Sequence, residues 1–333
     1  MSAGGSRASG EDDLIARYFR PLATHEGAFG LIDDAAVLSA SSDETVVTVD
    51  AIVEGVHFLP NDPPDTIARK ALRVNLSDLA AKGAMPAGFV LTLALREARD
   101  EWLRPFAQAL GEDAAQFKCP LLGGDTVSTP GPLTISITAF GLVEPGKMVR
   151  RTGARAGDRI AVTGTIGDAV LGLDILQGGK AATALAADAD SRDQLIARYR
   201  IPQPRNVLAQ AVRNHASAAM DISDGLAGDL SKLCAASSVS AIVEAASVPL
   251  SAAARHVLTS GAAGIETLLA GGDDYELLCA VPENRWADFC AASRQAGVAV
   301  TAIGGIIAGT EPPAFIDQAG QSLVLKRLSY SHF

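Results

Sequence analysis

The sequence predicts a mixed α/β fold with two domains, and three observations lead to that expectation. The chain has 333 residues, enough for about two domains of ordinary size. Its hydrophobic content of 48% can fill sizeable cores. Short apolar strands alternate with helical patterns along most of the chain. The Gly- and Arg-rich stretch at 150–158 (RRTGARAGD) indicates a junction. We therefore expect a disordered N-terminus at 1–12, an N-terminal α/β domain at 13–149 and a C-terminal α/β domain at 150–333.

Hydrophobic periodicity and the positions of Gly and Pro residues predict the helices and strands of the N-terminal domain. They are a helix at 14–19, a strand at 45–50, a helix at 65–83, a strand at 89–95, a helix at 101–117, a turn at 123–125 after a short strand, and a strand at 133–143.

The helix at 65–83 carries an acid where an apolar residue is expected. Asp65 can cap its start, and Gly83 can end it. At helical period, Asp78 falls on the apolar face of the helix, and a buried carboxylate is costly unless a cation or donors meet it. That face carries Ile67, Ala71 and Val74, and the basic residues Arg69, Lys70 and Arg73 point the other way. Asp78 is therefore either a metal ligand or a structural acid paired with an Arg or capping a loop.

The C-terminal domain continues the alternation of strands and helices. Its predicted elements are a strand at 159–163, a helix at 167–176, an Ala-rich helix or surface excursion to about 191, a strand leading into 220–224, a helix at 225–234, and strands at 276–281 and 299–307.

Several acids share a local pattern in which an apolar strand runs into a small residue and then Asp. The segments are FGLIDDAAVL, VVTVDAIVEG, LLGGDTVS, AAMDISDGLA and LLAGGDDYEL, which carry Asp33-Asp34, Asp50, Asp125, Asp221 with Asp224, and Asp273. Any one Gly-Asp pair is most often a plain turn. Carboxylates that converge repel one another unless a metal joins them, and Mg²⁺ prefers a few carboxylates, waters and substrate phosphates. Five such segments together therefore favour a magnesium site.

Composition restricts the partners. A net charge of −10 argues against duplex nucleic acid or an anionic membrane surface as a partner. No apolar run reaches the length of a membrane span, and the polar N-terminus lacks a signal core, so we expect a cytoplasmic protein. The four cysteines form no C-x-x-C pair, and the histidines show no ligand spacing, which disfavours zinc.

One motif is misleading. The segment GLVEPGK at 141–147 matches G-x-x-x-x-G-K, but Met148 stands where a Mg²⁺-binding hydroxyl is needed. Pro145 also removes a backbone N–H that a phosphate loop would supply. Any nucleotide is therefore held by other means.

Taken in order, the segments VNLSDLAAKGA, LLGGDT, VTGTIGDA, DISDGL and GGDDYEL resemble the thiamine-monophosphate kinase family of the aminoimidazole-ribonucleotide-synthetase-like superfamily. Each piece is weak, but the ordered set is specific and covers nearly the whole chain. The resemblance implies Mg²⁺-dependent, in-line transfer of the ATP γ-phosphate to thiamine monophosphate. It also implies a homodimer in which the N-terminal ATP- and metal-binding domains pair into a barrel-like sheet.

The resemblance also implies roles for individual residues. Asp50, Asp125 and Asp221 are expected to be catalytic. The expected metal ligands are Asp34, Thr48, Val49, Asp50, Asp78, Asp125, Asp221 and Asp224. The expected nucleotide contacts are Gly124, Asp125, Arg151 and Ser223, and the expected substrate contacts are His57, Asp273 and Tyr330. On position alone, His57 would be structural and Arg151 a surface residue.

Three positions depart from the family pattern. Ile32 replaces the second Gly of G-I-G-D-D, which implies a tighter or shifted turn. Val49 stands where Thr is frequent, so only its backbone oxygen could bind a metal. Asp273 stands where Glu is common and reaches one methylene less far. None of these changes removes a metal-binding carboxylate.

Other functions fit the sequence less well. Selenophosphate synthetases need a Cys or selenocysteine near the N-terminus, and no Cys precedes Cys119. The hydrogenase-maturation relatives carry a C-terminal Cys, whereas this chain ends in SYSHF. Aminoimidazole ribonucleotide synthetase is harder to exclude, but DISDGL with GGDDYEL fits it less well. A non-catalytic nucleotide-binding protein would not need five acidic segments, and a glycosidase would want more than 5% aromatic residues.

Overall fold

The structure is a computed structural model that describes residues 13–33, 35–39, 41–325 and 327–329. It divides into two compact units. The first runs to Asn75 and resumes at Pro86–Leu142, and the second comprises Leu76–Met85 and the chain from Val143 onward. Both units mix helices and strands, which confirms the predicted α/β class.

The first unit is built on a four-stranded sheet in the order β1-β4-β2-β3. Its strands are β1 (Glu44–Val53), β2 (Met85–Leu95), β3 (Leu121–Ser128) and β4 (Thr134–Val143). β2 and β3 are parallel. The predicted turn at 123–125 is wrong, because Gly123, Gly124 and Asp125 lie within β3 and pair with residues of β2. The strand continues because an extended Gly-Gly pair can approach the neighbouring backbone closely.

Helices α1 (Pro64–Ala81) and α2 (Asp100–Gln116) follow β1 and β2, and a short π-helical turn at Ile15–Phe19 precedes them. The apolar face of α1 is buried as predicted, but the prediction that its basic residues point away from the core is wrong. Lys70 and Arg73 are only 1% and 5% exposed. Arg73 forms a double hydrogen bond with the fully buried Asp113 of α2, and Lys70 Nζ donates to the carbonyl of His57 at 2.8 Å. Paired in this way, a charged face can be buried.

The second unit contains a six-stranded sheet in the order β10-β7-β9-β5-β8-β6. Its strands are β5 (Arg159–Thr163), β6 (Ala218–Asp221), β7 (Ser240–Glu244), β8 (Leu277–Val281), β9 (Val300–Ile307) and β10 (Ala314–Ile316). β6 pairs with β8 through Ala218–Asp221 and lies at the edge of the sheet. The acid-bearing strand end at Asp221 therefore lies on the last strand of this sheet, and all four residues of that strand are buried.

Helices of the second unit cover this sheet. They are α3 (Asp168–Leu176), α4 (Lys180–Ala184), α5 (Ala189–Arg200), α6 (Ala209–His215), α7 (Leu226–Ser237), α8 (Ala252–Thr259), α9 (Ile265–Ala270) and α10 (Glu283–Gln295). The sequence analysis did not predict β7, β10, α5, α6, α8, α9 or α10. Cys234 and Cys279 belong to the buried cores of this unit and are reduced. No helix in the described part of the chain has the length and apolar character that crossing a membrane requires.

Candidate functional site

Strand β1 presents two of the predicted ligands on one face. Side chains alternate along a strand, so Thr48 and Asp50 point with the buried Val46 and Ile52, whereas Val49 points outward and is 60% exposed. The backbone N–H of Asp50 donates to Oδ1 of Asn75 at 3.1 Å, and the Asn75 amide in turn donates to the carbonyl of Ala71. The sequence analysis missed Asn75, although it lies within the VNLSD segment. Its fully buried amide fixes β1 to helix α1 at Asp50.

The LLGGDT segment forms one wall of a cleft of about 380 Å³ in the first unit. Asp125 is exposed on β3, and Gly124 lies opposite Leu91 of β2. A Cβ on Gly124 would lie 2.0 Å from the Leu91 carbonyl oxygen, so a glycine is required here. The cleft also contains Asp33, which brings the first acidic motif and Asp125 to a common opening. Asp34 lies outside the described residues.

The segment that leads into the first acidic motif makes a left-handed turn. Phe29, Gly30 and Leu31 all have positive φ, at 48°, 62° and 54°, whereas Ile32 has an ordinary φ of −109° and is 78% exposed. The left-handed turn thus falls before Ile32. Two non-glycine residues in this region represent local strain, which is concentrated at functional sites in proteins.

His57 makes a structural contact. Its Nδ1 accepts a hydrogen bond from the backbone N–H of Val53 at 3.0 Å. This bond leaves Nε2 as the protonated nitrogen of a neutral ring. The half-buried imidazole therefore closes the turn after β1 through Nδ1. Tyr330, another predicted substrate contact, lies outside the described residues.

In the second unit, Asp78 and Asp221 lie near a half-buried lysine, Lys82, that the sequence analysis missed. Asp221, at the end of β6, is 4% exposed, and Asp78 is half-buried near the end of α1. Lys82 follows Asp78 by one helical turn and donates through Nζ to the carbonyl of Ala219 at 2.8 Å. Burial lowers the pKa of Lys82 and the charge of Arg151 lowers it further, while the carboxylates of Asp221 and Asp78 oppose both. The ammonium therefore ties the acid-bearing end of α1 to strand β6.

Arg151 is exposed, but its backbone is held in place. Ser237 Oγ donates to the Arg151 carbonyl at 2.6 Å, and the Arg150 carbonyl accepts from the N–H of Ala219 at 3.1 Å. A Cβ on Gly153 would lie 1.8 Å from the carbonyl oxygen of Ser217, which fixes how closely the RRTG segment packs on β6. The guanidinium is thus presented from an anchored backbone beside Lys82.

The DISDGL loop is held from inside by Asp229, another residue that the sequence analysis missed. Oδ2 of this fully buried aspartate accepts the backbone N–H groups of Ser223 at 3.0 Å and Asp224 at 2.9 Å. Lys232 Nζ lies 2.8 Å from Oδ1 of Asp229 and 2.5 Å from Oδ2 of Asp224. Burial raises the pKa of Asp229, and Lys232 only partly offsets that effect. The spacing of these residues along α7 is the signal that could have identified them.

The GGDDYEL segment is attached to the same loop. The N–H of Asp273 donates to the carbonyl of Ser223, and that of Tyr275 to the carbonyl of Ile222, both at 2.8 Å. Asp273 has a φ of +70°, and a Cβ on Gly272 would lie 2.6 Å from the Ser223 oxygen. The structure therefore brings together the predicted nucleotide contact Ser223, the predicted ligand Asp224 and the predicted substrate contact Asp273.

The other two acids of GGDDYEL are structural. The fully buried Asp274 accepts the N–H of Gly167, at the start of α3, at 2.8 Å, and burial raises its pKa well above the usual range. The fully buried Glu276 accepts from Arg198 at 2.9 Å, from Arg205 Nε at 2.7 Å and from the Thr163 hydroxyl at 2.6 Å. These contacts hold the backbone on which Asp273 is displayed.

Asp78→Asn tests whether the half-buried acid binds a cation. We expect the concentration of Mg²⁺ for half-maximal activity to rise severalfold, because one ligand charge is lost. The melting temperature without Mg²⁺ should change little, because the variant loses repulsion from Asp221 as well as attraction to Lys82. A titration of activity with Mg²⁺ and thermal melts of the metal-free protein measure both. A metal-free protein destabilised by about 1–3 kcal/mol with an unchanged Mg²⁺ curve would identify Asp78 as a structural acid.

Among the described residues, no three Asp, Glu, His or Cys side chains converge closely enough to hold a metal by themselves. Mg²⁺ commonly takes only one or two protein carboxylates and completes its shell with water and substrate phosphates. The donor sets of the second unit suit such an ion, because a lysine ammonium already occupies a cation position on Asp224 and another lies near Asp221.

Comparison with known proteins places these observations in a family. The family model for the AIR synthase related protein N-terminal domain matches residues 32–143, and that for the C-terminal domain matches residues 155–316. The thiamine-monophosphate kinase of Caulobacter vibrioides is 44% identical over 97% of this chain and 90% of its own length. That of Escherichia coli K12 is 40% identical over 98% of this chain and 99% of its own length.

Solved structures agree with this assignment. The crystal structure of thiamine-monophosphate kinase from Stenotrophomonas maltophilia has a TM-score of 0.81 and 37% identity, over 94% of this chain and 96% of that one. The structure of AaThiL complexed with AMPPCP and TMP has a TM-score of 0.76 and 30% identity, over 92% of this chain and 97% of that one. A hydrogenase maturation protein in complex with ATP, at 22% identity and a TM-score of 0.77, shares the fold.

Proposed function

Because this chain belongs to the thiamine-monophosphate kinases of the AIR synthase related family, we propose that it transfers the γ-phosphate of ATP to thiamine monophosphate, giving thiamine diphosphate and ADP. The observation that carries the proposal is identity of 40% and more to such kinases over nearly the full length of both chains. The acids of the ordered motifs are also all present, and AaThiL was solved with AMPPCP and TMP.

Each unit by itself contains residues that would bind Mg²⁺. They are Asp34, Thr48, Val49, Asp50 and Asp125 of the first unit, with Asp78, Asp221 and Asp224 of the second. Bound Mg²⁺ would neutralise polyphosphate charge, which is the main requirement of phosphoryl transfer. The outward side chain of Val49 supports a role for its carbonyl only.

The remaining roles concern charge and positioning. Gly124 lets a nucleotide approach the β3 backbone, and Ser223 and Arg151 would contact phosphate groups, the latter with a bidentate guanidinium. Asp273, held in place by Ser223, would pair with the cationic part of the thiamine substrate. His57 and Tyr330 complete the proposed substrate contacts. Asp50, Asp125 and Asp221 would act on the reacting phosphates through the ions that they hold.

We also propose a cytoplasmic homodimer. Strands β1 and β3 form the two edges of the four-stranded sheet, and β1 exposes Val47 and Val49 at 57% and 60%. An exposed apolar edge strand is a template for pairing with another chain. Pairing of two such sheets would cover these valines, which supports the barrel-like dimer of N-terminal domains. Sedimentation at micromolar concentration tests the dimer directly.

An assay with labelled ATP, Mg²⁺ and thiamine monophosphate tests the reaction, with free thiamine as the control acceptor. We expect thiamine diphosphate from the monophosphate, little product from free thiamine, and loss of activity in excess chelator that added Mg²⁺ restores. Phosphorylation of free thiamine in preference to the monophosphate would contradict the proposed acceptor. Full activity in excess chelator would contradict the proposed metal requirement.

A further inference from the structure

The Asp224 carboxylate already has a cation attached to it by the chain itself. Lys232, in the second turn of helix α7, has its Nζ 2.5 Å from Asp224 Oδ2 and 2.8 Å from Asp229 Oδ1. The Lys232 and Asp224 side chains are 42% and 36% exposed, whereas Asp229 is fully buried. The ammonium thus contacts one oxygen of the partly exposed Asp224, and its second contact is with the fully buried Asp229.

The two carboxylates have different functions in this arrangement. Asp229 uses Oδ2 to hold the N–H groups of Ser223 and Asp224, so it fixes the loop whether or not a metal is bound. Asp224 is held through its backbone, and its carboxylate makes a salt bridge to Lys232. A salt bridge this exposed contributes little stability, so a divalent ion can displace it at small cost.

We propose that Lys232 is a tethered counter-cation that occupies Asp224 in the metal-free protein, competes with Mg²⁺ for it, and so sets the Mg²⁺ concentration that the enzyme needs. The inference rests on the proposed function, because it takes Asp224 to be a Mg²⁺ ligand. The burial of Lys232 lowers its pKa, but Asp224 and Asp229 outweigh this effect and raise it, so the side chain stays charged at neutral pH.

Competition has a direct thermodynamic signature. A ligand that binds only the folded state stabilises it in proportion to the logarithm of its concentration over its dissociation constant. Replacing Lys232 by Met removes the competitor and leaves Asp224 and the buried Asp229 without their cation. The metal-free variant should therefore melt at a lower temperature, and saturating Mg²⁺ should restore more of its stability than it adds to the wild type.

The test is a set of thermal melts across a Mg²⁺ titration, without nucleotide or thiamine monophosphate. We expect Lys232→Met to lower the Mg²⁺ concentration at the midpoint by about three- to tenfold. The expected change is no larger because solvent screens an ion pair at this separation and exposure. Lys232→Arg keeps the charge and should retain the wild-type midpoint. Lys180→Met removes the same charge from an exposed position on α4 and should also leave the midpoint unchanged. Raising KCl should shrink the difference between Lys232→Met and wild type.

Three results would overturn the proposal. One is an equal loss of melting temperature in Lys232→Met at every Mg²⁺ concentration, which would make the salt bridge purely structural. Another is a raised midpoint, which would make Lys232 a helper of metal binding. The third is a wild-type protein that Mg²⁺ does not stabilise. None of these readouts needs turnover, so failure of the kinase assay and failure of this inference are separate results.

Discussion

Asp221→Asn is expected to lower kcat by about 10²–10³-fold while leaving the protein folded. Asp221 is 4% exposed at the end of edge strand β6, and Asn is nearly isosteric with it, so packing against β8 is preserved. The change removes one negative charge that would hold a cation against the reacting phosphates. Loss of one preorganised electrostatic contact costs about 2.7–4 kcal/mol of transition-state stabilisation. Turnover at saturating Mg²⁺, ATP and thiamine monophosphate, beside a melting curve, measures both quantities.

Two companion variants sharpen this measurement. Asp125→Asn, on exposed strand β3 of the first unit, should show a loss of similar size, because the proposal gives it the same function. Asp288→Asn makes the same chemical change at an exposed position of α10 and should retain wild-type turnover. Near wild-type turnover of Asp221→Asn at saturating Mg²⁺ would show that this acid only ends a strand. A melting temperature far below that of the wild type would instead show that Asp221 has a structural function.

The sequence predicted those parts of the fold that local pattern determines. The strand at 159–163 and the helix containing Asp78 were predicted from local hydrophobic patterns that end at Gly or Pro residues. The structure confirms them as β5 and α1. The prediction of a turn at the GGD segment was wrong because these residues pair with the parallel strand β2. The local sequence contains no information about that neighbouring strand. Short elements such as β7 and α9 have too few residues for a period to emerge.

The same distinction applies to the candidate site. The exposed or half-buried acids Asp50, Asp125 and Asp224 could be selected from the local pattern of strand, small residue and Asp. Asp229, which holds Asp224 from five residues away, could also have been found from local spacing, but residues that make long-range contacts could not. Asn75 reaches back 25 residues to Asp50, and Lys82 reaches forward 137 residues to Ala219. Such pairs depend on the tertiary fold, and a single sequence carries no signal for them.

Glu276→Gln is expected to cause the largest loss of stability, about 3–5 kcal/mol. Glu276 is fully buried and accepts hydrogen bonds from Arg198 and Arg205, whose side chains are only 13% and 22% exposed. Glutamine keeps the volume but removes the charge, so two largely buried cations lose their shared partner. Its amide also replaces one acceptor oxygen with a donor that faces a guanidinium. Urea unfolding followed by the fluorescence of Trp286, which lies in the second unit, reports the loss in a Trp102→Phe background.

The chain supplies a matched control for this change. Arg159 and Glu283 form the same kind of ion pair at 2.5 Å, but their side chains are 40% and 65% exposed. Glu283→Gln should therefore cost less than about 1 kcal/mol, because water already screens the pair. Equal losses from Glu276→Gln and Glu283→Gln would contradict the argument from burial.

The double variant Glu276→Gln/Arg205→Gln separates the lost salt bridge from the unpaired cation. If most of the destabilisation comes from a buried guanidinium without a partner, removing Arg205 as well should restore part of the stability, and the two changes should be non-additive. Glu276 lies immediately before β8 and three residues after Asp273, and its carbonyl accepts the N–H of Ile222 at 2.8 Å. Any loosening at Glu276 is therefore transmitted through the backbone to both Asp273 and the DISDGL loop. For this reason we expect the single variant to raise the KM for thiamine monophosphate even at temperatures where it remains folded.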